Sequence, residues 1–303
     1  MRGWILFAEE ATKLKPETYE IDRFVKEAKA SKIDIEVIHP NQIDLIVPGD
    51  DPKSVLLDEK AVTLPDFILP RLGAGTTYFA LAVIRHLEGL GVYSLNSSRS
   101  IETVKDKLFT QQILAANDLP VPKTMLVKFP IEADVVEKQL GFPVVIKPIS
   151  GTQGHGVYLS EKKIKFNDIM QLVNSTSGDP NIILQQFIQN SYGRDLRVLV
   201  VGGRVVGCIE RKASKEGFKA NFSSGGTMSP FTLTPEIEWL ATKTASILGL
   251  EVAGVDLLFD GSHFKVCEAN SAPAFEGAEK CLKNLNMPKE IFDFIRVRLG
   301  VFS

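Results

Sequence analysis

The chain has 303 residues, with 35 Lys plus Arg against 37 Asp plus Glu, a formal net charge of −2. Its 44% hydrophobic content is too high, and its net charge too low, for disorder over most of the length. The near-neutral charge also argues against a general nucleic-acid binder, which needs a positive field.

At roughly 100–200 residues per domain the length predicts two domains, with room for a small third lobe. No apolar run approaches the roughly 20 residues of a membrane-spanning helix. Trp4-Ile5-Leu6-Phe7-Ala8 runs straight into Glu9-Glu10, unlike a secretory signal. Cys208, Cys267 and Cys281 show no CxxC spacing, and His39, His86, His155 and His263 are far apart. A cytoplasmic protein without a zinc site is expected.

In chain order, Trp4–Ala8 is a short apolar run. Tyr19–Lys32 carries Ile21, Phe24, Val25 and Ala28 at helical spacing. Ile33–His39 alternates as a half-buried strand ended by Pro40. Phe67–Leu69 is a further apolar run, and Thr76–Leu90 is a helix stopped by Gly89 and Gly91. Alternating strands and helices predict a layered α/β domain around a mainly parallel sheet.

A single helix is expected over Ser100–Asn117, with Lys105 and Lys107 among apolar positions. Pro120 and Pro122 then force extended chain into Lys123–Lys128. After another helix, Val144–Pro148 is a buried strand that delivers Lys147 at its end. Beyond residue 181, Ile182–Ile188 and Arg194–Val201 read as strands, and Gly202-Gly203 turns the chain into Arg204–Arg211. Lys212–Gly226 is a polar loop. Thr234-Pro235 starts a helix ended by Gly249, and Val252–Phe259 with Phe264–Ala269 forms a last hairpin.

Three features carry chemistry. Gly151-Thr152-Gln153-Gly154-His155-Gly156 lets backbone N–H groups approach phosphate oxygens. Alone it reads rather as a flexible hairpin tip, but Lys147 at the end of the preceding strand suits a polyphosphate. Lys107, alone, is an ordinary helix lysine. In the last hairpin Asp256 interrupts an apolar strand, where a lone carboxylate is costly to bury. Glu268 and Asn270, two residues apart, share a strand face. A three-residue loop (Gly261, Ser262, His263) would set Asp256 opposite Glu268 on one face, and a two-residue loop would set them on opposite faces. The first register makes an oxygen cluster suited to Mg²⁺ shared with substrate phosphates. Arg211, at a strand end, suits an oxyanion or a carboxylate, or else a plain surface ion pair. Asp195 and Arg197 share a strand face, and a plain surface pair is one reading of them.

Together, Lys107, Lys147, the Gly-rich loop, Leu184-Gln185-Gln186-Phe187-Ile188, Asp195-Leu196-Arg197, Ile209-Glu210-Arg211 and Asp256…Glu268-Ala269-Asn270 resemble the ATP-grasp superfamily. Pro70-Arg71-Leu72-Gly73, Asp106-Lys107-Leu108, Lys219-Ala220-Asn221 and Val252-Ala253-Gly254-Val255-Asp256 make the chain most similar to RimK-type glutamate ligases. The resemblance implies an N-terminal Rossmann-like pre-ATP-grasp domain over 1–96, a central lobe over 97–180 and a C-terminal lobe over 181–303, with ATP between the last two. It implies that Lys107 and Lys147 contact the phosphates, that Gln185 and Gln186 hold the adenine edge beside Phe187 and Leu258, and that Asp195 lies on the ribose side. Lys219 and Asn221 would reach the nucleotide. Asp256, Glu268 and Asn270 would bind Mg²⁺ or Mn²⁺, two ions being expected, and Arg211 would stabilise the acyl intermediate. Two positions depart from the family pattern: Gln186, where a Glu is often found, and Ala274, where Ser-Pro-Gly is common.

The implied reaction is ATP-dependent carboxylate–amine ligation through an acyl phosphate. Glutamate would be joined to a protein C-terminus, a peptide or a small-molecule acceptor, and a homo-oligomer is expected. The rival expectations are a small-molecule kinase on the same scaffold and a nucleotide-binding regulatory module without turnover.

Overall fold

Strand β1 (Arg2–Leu6) buries Trp4, Ile5 and Leu6, as a parallel strand covered on both faces requires. The structure, a computed structural model, describes residues 1–7, 19–47, 52–73, 76–149, 156–176, 181–213 and 226–301. Most of the Gly-rich segment, together with Lys219 and Asn221, lies outside the described residues. Helix α1 (Tyr19–Ala30) turns Ile21, Phe24 and Ala28 inward, and β2 (Asp34–Ile38) follows. A small antiparallel sheet of β3 (Ile43–Leu45), β4 (Val55–Leu57) and β5 (Lys60–Ala61) comes next. Strands of two or three residues are too short to show an alternation, so no sequence pattern announced them. Then come β6 (Phe67–Pro70), α2 (Tyr78–Gly89), capped by the Thr77 side chain, and β7 (Tyr93–Ser94). The N-terminal sheet is parallel with order β2-β1-β6-β7.

The helix expected over 100–117 is two helices, α3 (Ser98–Lys105) and α4 (Lys107–Ala116). Asp106 has extended backbone (φ −93°, ψ 109°), and its carboxylate accepts the Phe109 N–H. An aspartate N-cap outcompetes helix continuation at this point. Neither helix belongs to a separate central core: Ile101 packs into the N-terminal domain, while Leu114 packs under the C-terminal sheet.

The central unit comprises β8 (Thr124–Leu126), α5 (Ala133–Leu140), β9 (Val144–Pro148), β10 (Tyr158–Ser160), α6 (Lys163–Thr176) and β11 (Ile182–Gln186). Its sheet is antiparallel with order β10-β9-β11-β8. Val136, Val144, Ile146, Phe166 and Leu184 form its own core. Strand β11 follows the expected boundary at residue 180, yet it is hydrogen-bonded between β8 and β9.

The last unit contains β12 (Arg194–Val201), β13 (Arg204–Lys212), β14 (Thr227–Pro230), α7 (Pro235–Ile247), β15 (Val252–Asp260), β16 (His263–Asn270), α8 (Glu276–Cys281) and α9 (Met287–Leu299). The sheet order is β14-β13-β12-β15-β16, all antiparallel. Alternation assigns its two faces. Leu196, Val198, Val200, Val255 and Leu257 pack against Ile237 and Leu240 of α7. Leu199, Val201, Ile209 and Val252 face the other way, into a core shared by Ile5, Phe24 and Phe67 with Phe275, Phe292 and Ile295. The first and last parts of the chain are therefore one packed body.

Candidate active site

Asp256 pairs with Glu268 across β15 and β16, by a route the sequence did not suggest. The hairpin loop holds two residues, not three: Asp260 faces His263 and Phe259 faces Phe264. That register would put Glu268 on the wrong face. A bulge between Asp256 and Leu257 corrects it, because Leu257 pairs with Val266, Asp256 pairs with Glu268, and Cys267 is the extra residue. The bulge shows in the packing, since Val266 and Ala269, three residues apart, enter the same core. Glu268 and Asn270 are thereby turned to the face of Asp256.

On that face Asp256 is 3% exposed and tied to two arginines. Arg197 donates through Nε to Oδ1 (2.6 Å) and through a terminal nitrogen to Oδ2 (2.7 Å), and Arg211 donates to Oδ2 (2.8 Å). Arg211 also grips Asp195 with two bonds of 2.7 and 2.8 Å. Strand register makes this chain of charges: Asp195 lies opposite Arg211, and Arg197 opposite Asp256. Asp195 and Arg197 are thus not a surface pair, and Arg211, 7% exposed, is not an exposed strand end. Both Asp195 oxygens accept from Arg211.

Burial pushes the Asp256 carboxyl up, but Arg197 and Arg211 outweigh it and hold it at about 2. For Asp195 burial wins over the pull of Arg211, aided by repulsion from Asp256, and its carboxyl is raised. Arg211 is held firmly protonated: burial disfavours its charge, and Asp256 and Asp195 more than restore it.

The two lysines come from different bodies. Lys147, on β9, donates to Gln185 Oε1 (2.6 Å) and lies 3.6 Å from Cys267 Sγ. Gln185 is 2% exposed, and its amide is turned to Lys147 and to Thr124 Oγ1 (3.0 Å). Gln186 ends β11 with its N–H bonded to Lys123 O (2.8 Å). Lys107 opens α4 and its N–H donates to Ile149 O (3.2 Å), joining the helix to the end of β9. Burial lowers the Lys107 pKa, nearby Glu268 raises it, and Lys147 lowers it further. Gln111 of α4 donates to Cys267 O (2.8 Å). Lys107, Lys147 and Glu268 consequently meet at the bulge.

These residues fit a hard divalent cation. Glu268 is half-buried and, among the described residues, forms no ion pair. Its only hydrogen-bond donor there is Asn270 Nδ2, at 3.4 Å from Oε1. Asn270 donates also to Gly254 O (3.4 Å), and among the described residues nothing donates to its Oδ1. Among the described residues no three acidic, His or Cys groups cage an ion by themselves. Such a donor set matches an ion that completes its shell with phosphate oxygens and water.

A family model described as the RimK-like ATP-grasp domain matches residues 104–295, and one described as the RimK PreATP-grasp domain matches residues 13–101. The chain belongs to the RimK-like ATP-grasp family. A protein of Legionella pneumophila (strain Corby) named "Probable alpha-L-glutamate ligase" is 34% identical over 289 residues, 95% of each chain. One of the same name from Maridesulfovibrio salexigens is 33% identical, over 93% of this chain and 92% of the relative. Among solved structures, the RimK domain protein ATP-grasp of Sphaerobacter thermophilus aligns with a TM-score of 0.74 at 19% identity, covering 97% of this chain and 99% of that one. The ATP-bound D-alanine–D-alanine ligase of Bacillus anthracis gives 0.71 at 19% identity, over 99% and 98%. The ATP-grasp ligase PsnB with Mg and ADP gives 0.72 at 16% identity, over 96% and 97%.

Within this RimK-like site the residue that sequence reading missed is Arg197. Its signal, the Asp-x-Arg alternation, is visible, but only the β12–β15 register shows that it reaches Asp256. The split at Asp106 also gains a purpose, because it makes Lys107 the first residue of a helix. Asp106→Ala is expected to lower stability by about 1 kcal/mol, read by urea unfolding. It should also raise the KM for ATP by freeing the helix start that carries Lys107.

Proposed function

We propose that the protein is an ATP-dependent carboxylate–amine ligase that joins glutamate to the carboxylate of a protein C-terminus, peptide or small acid. The observation that carries the reading is the meeting of Lys107 and Lys147 with the Asp256–Glu268 pair beside a buried, doubly anchored Arg211. The full-length similarity to proteins named as alpha-L-glutamate ligases supports the choice of glutamate.

In this reading Lys107 and Lys147 hold the triphosphate of ATP. Gln185, Gln186, Asp195, Lys219 and Asn221 are assigned to its base and sugar side. Asp195 keeps Arg211 in place as well. Glu268, Asn270 and the remaining lone pairs of Asp256 would hold Mg²⁺ or Mn²⁺, two ions in the family pattern, which when bound offset charge on the phosphate oxygens.

The acceptor carboxylate attacks the γ-phosphate, and ADP leaves an acyl phosphate. The amine of glutamate then attacks the acyl carbon. Arg211, already charged and immobile, stabilises the tetrahedral oxyanion without reorganising. Phosphate departs and the amide remains. No side chain is required as a nucleophile. A cytoplasmic homo-oligomer is part of the proposal; among the described residues no helix is long and apolar enough to cross a membrane.

The test is a mass-spectrometric screen of peptides and small acids with ATP, Mg²⁺ and glutamate. A product heavier by one glutamyl residue, formed with one ADP, is the expected result. A stable phosphorylated product without amine consumption would replace the ligase by a kinase. In the same assay the double variant Glu268→Ala, Asn270→Ala should lose ADP release by at least about 100-fold. Unchanged release would remove these residues from the metal site.

A further inference from the structure

Arg71 follows β6, at the C-terminal edge of the N-terminal parallel sheet, where open α/β sheets place their ligands. Its guanidinium lies over the buried rings of Phe24 and Phe275, 5.7 Å from each centroid. Among the described residues it makes one hydrogen bond, to Pro273 O at 2.8 Å, and no ion pair. Glu20, whose charge acts on it, accepts the Phe275 N–H (3.2 Å) instead. A guanidinium has five N–H donors in a planar fork, so most of this one is unmatched on an apolar floor. Burial lowers its pKa while Glu20 raises it, and the group is half-buried rather than sealed.

Its position ties it to the reaction centre. Pro273 lies three residues beyond Asn270 and packs against Gly254, where a Cβ would come within 2.6 Å of Pro273 Cβ and 3.3 Å of Arg197 Cδ. Only glycine permits that approach. Arg71 therefore stands one residue layer from the Arg197–Asp256 pair, and neither Lys107 nor Lys147 is among the charges that act on it. A carboxylate held there is set apart from the two lysines assigned to the phosphates.

We infer that Arg71 binds a spectator carboxylate of the amine-bearing amino acid, presenting its amine toward the centre at Arg211. This rests on the ligase reading and adds to it a specificity-determining residue. The side-chain chemistry selects an amino acid whose carboxylate stays free in the product. The fork supplies paired N–H donors, and the aromatic floor excludes water from their far side.

The experiment is calorimetric binding to the ADP- and Mg²⁺-loaded full chain, with three probes: L-glutamate and its two monoamides, L-glutamine and L-isoglutamine. For wild type, one monoamide should bind about 10- to 100-fold more weakly than glutamate. Arg71→Met should weaken glutamate by the same factor, no longer discriminate against that monoamide, and leave ADP affinity within about twofold. Arg71→Lys, which keeps charge but not the fork, should fall between and serves if the methionine variant does not fold. Wild-type affinity for glutamate in the variant that folds overturns the inference, as does failure of wild type to bind glutamate. Arg71-dependent binding without amide product would leave the inference standing and sink the ligase reading. Amide product with Arg71-independent binding would do the reverse.

Discussion

Replacing Asp256 by asparagine is expected to abolish amide formation and to destabilise the protein by about 3–5 kcal/mol, the cost of breaking a buried charge pair from one side. The amide keeps one acceptor oxygen, so Arg197 loses one of its two bonds to this side chain, and Arg197 and Arg211 both lose the opposing charge. The pH dependence should change with it. The Asp256 carboxyl sits at about 2 in the folded protein, below the ordinary value near 4. It therefore contributes stability that is complete above about pH 4 and lost as pH falls toward 2. Asp195 has the opposite sign, because its raised pKa makes its ionised form a cost that acidification relieves. Wild type should lose stability between about pH 4 and 2, softened by Asp195, whereas Asp256→Asn should show a flatter profile there. Urea unfolding across that range measures both. A wild-type profile already flat there would break the assignment of Asp256 as the arginine anchor.

Arg211→Lys should lower kcat by about 100- to 1000-fold with little change in the KM for ATP. Arg211 holds Asp195 through two nitrogens and Asp256 through one, and a single ammonium cannot reproduce that fork. The lysine keeps the positive charge, so folding should survive better than in Asp256→Asn. Steady-state rates of ADP and amide formation, measured together, separate the two steps. If amide formation falls while ADP release persists, Arg211 acts on the second step, as the oxyanion role requires. Equal retention of both rates would deny Arg211 that role.

Much of the scaffold was legible because it depends on local rules. The α1 stripe of Ile21, Phe24 and Ala28 (Val25, expected on the same face, is exposed), the Thr234-Pro235 start of α7 and the Gly202-Gly203 turn each follow from spacing or backbone preference within a few residues. The order of motifs from Lys107 to Asn270 was enough to identify the family. What escaped depends on partners distant in sequence. The Asp256–Glu268 pairing was expected through a three-residue loop and arises through a two-residue turn plus a bulge at Cys267, two deviations that cancel. No local pattern marks Cys267, because the bulge is favoured by Val266 and Ala269 reaching one core. Arg197 and Asp195 looked like a solvated pair until the neighbouring strands brought Asp256 and Arg211 against them. The break at Asp106 was hidden by an apolar periodicity that runs on through both helices.

The shared packing of Phe24 and Phe67 with Phe275 and Phe292 has a mechanical consequence. The sequence's beginning and end make one block, which also carries α4, while the described residues between 124 and 186 pack around a separate centre. A movement of one against the other would therefore be a swing of that middle piece against the larger block. Lys107 belongs to the block and Lys147 to the middle piece, so their separation would report such a swing.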